Sequence, residues 1–152
     1  MKQSTELQGI EKIKFEYSWW AAKRAASSSR RKDATKPKNK EKLIQKLQQV
    51  DFEDYGKWHD EACALFNNES NFYGISAKFI AIFMKTHYVI NDYDKYKNII
   101  YPPIDSRTLD NLKYRIKWTR MLKRDHENLM SLLSKKYDYL YKIEELWSDS
   151  DI

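Results

Sequence analysis

Apolar residues recur every three or four positions along most of this chain, with short polar breaks between the runs. Leu7, Ile10, Ile13, Tyr17, Trp20 and Ala21 mark an amphipathic helix over residues 5–26, and the apolar stripe of such a helix ordinarily faces a core. Ser27-Ser28-Ser29 ends it, and residues 27–40, polar and basic with Pro37 inside, read as a flexible connection. Leu43, Ile44, Leu47 and Val50 predict a short second helix. Asp51 is placed to cap a third, with the face Tyr55, Trp58, His59, Ala62, Leu65 and Phe66. After the break at residues 67–71, Gly74-Ile75-Ser76 predicts a short turn.

The run Ala77 to His87 is apolar all round, as a helix surrounded by protein must be, so it is expected at the centre of the fold. Residues 91–100 are polar and tyrosine-rich, and Tyr101-Pro102-Pro103-Ile104 forces an extended approach. Asp105-Ser106 then opens a helix bearing Leu109, Leu112 and Ile116. Leu122, Leu129, Met130, Leu133, Tyr137, Leu140, Ile143, Glu144 and Trp147 continue on one stripe, which predicts a long C-terminal helix, bent near Ser134.

Composition supports an all-α chain. Three glycines and three prolines in 152 residues are too few for the turns of an all-β fold. That length holds one core, so residues 1–152 are expected to form one compact helical bundle. No apolar run is long enough to span a bilayer, and the first residues carry no apolar leader segment. Cys63 stands alone, which excludes an intrachain disulfide and a cysteine-held metal cluster and fits a reducing cytoplasm. His59, His87 and His126 are scattered, so neither a metal nor a cofactor is expected.

The net charge of +6 is concentrated. Between Lys23 and Lys42 lie nine basic residues and two acids, Asp33 and Glu41. Such a stretch, with Arg30, Arg31 and Lys32 at its middle, is a footprint of phosphate-backbone binding; it is equally the composition of a solvated linker.

The central order of elements adds a sharper expectation. Gly74-Ile75-Ser76-Ala77-Lys78, then Pro103-Ile104-Asp105, resembles the helix-hairpin-helix DNA glycosylase superfamily. Arg107-Thr108-Leu109 and the closing Ile143-Glu144-Glu145-Leu146-Trp147 look like its small 8-oxoguanine glycosylase relatives. The resemblance implies that fold, with Gly74 and Ser76 on the DNA backbone, Lys78 at the nucleophile position and Asp105 at the essential aspartate. It also implies excision of a damaged or modified base, in repair or in defence against modified phage DNA, by a protein that joins the nucleoid when bound.

The chemistry suits those residue types. Positive charge develops on the sugar as the C1′–N bond breaks, and a carboxylate stabilises it. A neutral amine can instead attack C1′ and form a Schiff base, and the first turn of a buried helix disfavours the protonated form of Lys78. Trp19, Trp20, Tyr73 and Trp147 are the candidates for stacking on an extruded base.

Two other readings remain open. Arg120 and His126 have the spacing of a small ribonuclease, and a non-catalytic nucleic-acid or protein-binding module would use residues 23–42 alone. A glycosylase needs Lys78 and Asp105 in one cleft, a ribonuclease needs Arg120 and His126 there, and a binding module needs neither pair. Oligomeric state is left open.

Overall fold

The computed structural model describes residues 7–25, 37–66 and 73–146, and all regular structure among them is helical. The helices are α1 (Gly9–Ala25), α2 (Pro37–Leu47), α3 (Tyr55–Phe66), α4 (Tyr73–Met84), α5 (Tyr93–Tyr96), α6 (Ser106–Asn111), α7 (Lys123–Lys136) and α8 (Lys142–Glu145). A π turn, Lys85–Val89, prolongs α4, and a 3-10 turn, Trp118–Arg120, precedes α7.

The expected central helix is central. α4 packs against α1, α3, α7 and the 3-10 turn. All of its residues are buried except Lys78 and Ile82. It begins four residues earlier than its apolar run suggests, so Gly74-Ile75-Ser76 is not a hairpin turn but the first turn of α4. Its start is held from outside the helix, since the Gly74 N–H donates to the Met121 carbonyl at 2.9 Å.

α1 corrects the sequence reading more deeply. Its buried residues are Phe15, Ser18, Trp19 and Ala22, not the stripe Ile10, Ile13, Tyr17, Trp20. The helix carries two apolar faces, and the one with the better partners on α4 goes inward. Phe15 meets Phe83 edge-on at 5.3 Å and Trp19 meets Phe79 edge-on at 5.3 Å, contacts that add to the area they bury.

α2 starts at Pro37, inside the segment expected to be loop, because a proline's fixed φ suits the first helical position. Asp51 does not cap α3 itself: its Oδ1 accepts from the N–H groups of Glu53 and Asp54, which precede the helix, and the Asp54 carbonyl accepts the first helical bond, from Trp58. On α3 the buried face is Tyr55, Trp58, His59, Ala62, Cys63 and Phe66, with Leu65 only partly covered.

The long C-terminal helix is broken. α7 stops at Lys136, Tyr137 is extended (φ −127°, ψ 157°), and the chain re-enters helix only at Lys142. Outside partners favour the break: the Leu140 N–H donates to Asn98 Oδ1 and the Tyr141 N–H to the Lys97 carbonyl. Tyr141 thereby enters the main core as one of its largest buried side chains. A smaller cluster forms around Ile104, Leu109, Met121, Leu129 and Leu133, and Tyr101 packs against both.

Candidate active site

The two residues of α4 that escape burial stand one turn apart, and both line the same cleft. Lys78, Ile82 and Lys85 form one wall along α4 and its π turn, and Pro103, Asp105 and Glu144 form the other, around about 270 Å³. Pro103-Ile104 runs buried and without regular structure into α6, which sets Asp105 at the cleft. The break after α7 lets α8 bring Glu144 to it.

Asp105 is the N-cap of α6. Its Oδ1 accepts from the Thr108 N–H at 3.0 Å and from Thr108 Oγ1 at 3.1 Å, while Oδ2 accepts no hydrogen bond among the described residues. Capping and chemistry therefore do not compete for the same oxygen. Glu144 is engaged, since its Oε1 accepts from Lys85 Nζ at 2.6 Å. The Lys78 ammonium lies 4.1 Å from the centre of the Trp118 ring, a contact that favours the charged amine by about 0.5–2 kcal/mol. The cleft is thus lined by a carboxylate whose Oδ2 accepts no hydrogen bond among the described residues, a lysine whose ammonium lies against an aromatic ring, an ion pair, and an apolar strip of Ile82 and Pro103.

The other expected site residues lie elsewhere. Gly74 and Ser76 are buried, and the Gly74 N–H is spent within the chain, so neither reaches the surface to grip a phosphate. Trp19 is a core residue between Phe15, Phe66 and Phe79. Trp20 is exposed on α1, and Tyr73 belongs to another cavity. Trp147, Arg30, Arg31 and Lys32 fall outside the described residues. Trp118, the aromatic that does reach Lys78, stands forty residues away in sequence, and only the packing of the 3-10 turn on α4 brings it there.

A second cleft, of about 340 Å³, opens between α3 and α7 over His59, Tyr73, Tyr101 and His126, with the Asp60–Lys123 ion pair at its rim. The two imidazoles stack with centroids 5.0 Å apart and planes 12° off parallel, and Tyr73 Oη lies 3.1 Å from His59 Nδ1. Burial pushes His126 down to about 4. Burial, and then its neighbour His126, hold His59 well below the usual histidine range. Both rings are neutral near pH 7. Two of the histidines expected to be scattered are therefore paired, although no group of three potential ligands disposed to hold a metal ion occurs among the described residues. Arg120 is exposed and His126 is stacked in the interior, so the ribonuclease pair does not share a cleft. No helix among the described residues is long and apolar enough to cross a membrane.

No protein-family model matches the chain, and neither the curated proteins nor the solved structures include one similar to it.

Proposed function

We propose that this protein is a DNA glycosylase that removes a damaged or modified base by hydrolysis at the Lys78–Asp105 cleft. One observation carries the proposal: the only two residues of the central helix that escape burial, Lys78 and Ile82, open onto the cleft that Asp105 lines from another element. Burying a lysine on the remaining faces of α4 would be costly, so its position fixes where a cation is presented.

In this scheme Oδ2 of Asp105 faces the sugar as positive charge develops at C1′, and it accepts a proton from the attacking water. Lys78, held as a cation by Trp118, contacts phosphate or the departing base rather than attacking C1′. The Lys85–Glu144 pair flanks the opening. DNA is the partner, attracted by the basic stretch between Lys23 and Lys42, and no cofactor is needed. Repair of damaged DNA and defence against modified phage DNA call on the same chemistry.

Asp105→Asn isolates the charge, because an asparagine Oδ1 still accepts from Thr108 and keeps the cap. The variant is expected to fold and bind DNA while losing base excision by at least about 100-fold, on the scale of a lost transition-state charge contact. The assay is abasic-site formation over a panel of damaged, methylated and phage-modified DNAs, with and without borohydride. Abasic sites without a trapped adduct are expected. An adduct lost in Lys78→Ala would make the lysine the nucleophile instead. Excision retained in Asp105→Asn would sink the assignment, and silence across the panel with DNA binding intact would favour a binding module.

A further inference from the structure

One of the two apolar stripes of α1 faces away from the core. Ile10, Ile13, Tyr17 and Trp20 are 65, 65, 61 and 51% exposed, whereas the buried residues of α1 lie on its other side. At about 100° per residue, the four fall within a strip about 80° wide, centred opposite Phe15. Their spacing of three, four and three is the a/d seam of a two-stranded coiled coil, narrower than the stripe of a helix packed on a globular core. The strip is ordered before anything covers it: the Tyr17 and Trp20 rings are 5.8 Å apart, and the Arg24 guanidinium lies 5.1 Å from the Trp20 ring centre.

We propose that this face of α1 is a dimer interface, closed by α1 of a second copy running antiparallel. The seam is self-complementary, as a two-fold interface requires. Its four side chains offer on the order of 500 Å² per copy, so a pair buries about 1,000 Å², the lower end for a specific interface. That area supports micromolar rather than nanomolar association.

Charge selects the direction. A parallel pair would set Lys23 and Arg24 of both copies side by side. An antiparallel pair sends those ends apart along a helix about 25 Å long. Centred between Ile13 and Tyr17, it sets Ile10 against Trp20 and Ile13 against Tyr17 of the second copy. The two isoleucines offer a nucleic-acid base nothing to stack on. The inference stands apart from the proposed glycosylase activity.

Sedimentation of the full chain from about 1 to 300 micromolar tests it, a range that brackets the affinity such an area supports. A monomer–dimer equilibrium is expected. Ile13→Glu and Trp20→Glu, at exposed positions that leave the helical circular dichroism unchanged, are each expected to weaken it at least about 10-fold. A wild-type chain that stays monomeric throughout, or a dimer indifferent to both glutamate substitutions, overturns the interface. A monomer that co-sediments with anionic phospholipid vesicles only while Trp20 is intact gives the strip to a membrane surface and overturns the dimer as well.

Discussion

A methyl group at position 74 has no room. A Cβ built there would stand 2.1 Å from the Trp118 carbonyl oxygen and 2.7 Å from the Met121 Cβ, and the first of these is backbone that cannot swing away. Gly74→Ala is therefore expected to cost at least about 2–3 kcal/mol, read as a lower urea midpoint at unchanged slope. An unaltered midpoint would mean that the Trp118–Met121 segment moves freely off α4. From the sequence Gly74 reads as part of a short turn; the residues that crowd it lie more than forty positions on. Asp105 was legible more directly: an aspartate after two prolines caps the next helix through short-range geometry alone. That it shares a cleft with α4 and α8 depends on how those helices pack around it.

At the scale of elements, the stacked histidines join α3 to α7. The pair prefers to be neutral, since burial lowers His126 from 6.5 to about 4 and lowers His59 as well. With the folded value below the unfolded one, the unfolded chain binds protons first as the pH falls. Stability is then complete above about pH 6.5 and drains away toward pH 4, by about 3 kcal/mol from His126 alone at about 1.4 kcal/mol per tenfold change. Urea unfolding at pH 7.5 and 5.0 should differ by about 2 kcal/mol from this residue. His126→Phe, which keeps a ring in the stack and removes the titration, should shrink that difference. An equal loss in the variant would place the acid sensitivity elsewhere. Spacing within each helix put His59 on an apolar face, but nothing local records that α3 and α7 are neighbours.

α1 and the C-terminus share a different lesson. Periodicity shows that a helix has an apolar stripe, and α1 has two, so the choice between them rests on which meets Phe79 and Phe83. The stripe from Leu122 to Trp147 is continuous in sequence, but hydrogen-bond partners at Lys97 and Asn98 make a break at Tyr137 the better solution.

For the molecule as a whole, charge is the property most directly tied to a partner. Replacing Arg30, Arg31 and Lys32 with alanine is expected to weaken DNA binding and lower its salt slope by up to about 2.7, if each residue neutralises one phosphate of a duplex. Affinity measured across a salt series checks this, and an unchanged slope would remove those residues from the interface. The measurement is independent of base excision, so it separates a DNA-binding chain from one that acts on DNA.

The amino-acid sequence by itself determined the helical class, the central position of the all-apolar helix, the cap at Asp105 and the basic run, because each follows from local spacing, side-chain chemistry or composition. Only the tertiary structure decided which face of α1 goes inward, where the C-terminal stripe breaks, and that Lys78, Asp105 and Glu144 meet around one cleft while His59 and His126 stack beneath another. Those outcomes depend on contacts between segments tens of residues apart, and such contacts are chosen by the fit of whole surfaces, which no stretch of sequence carries alone.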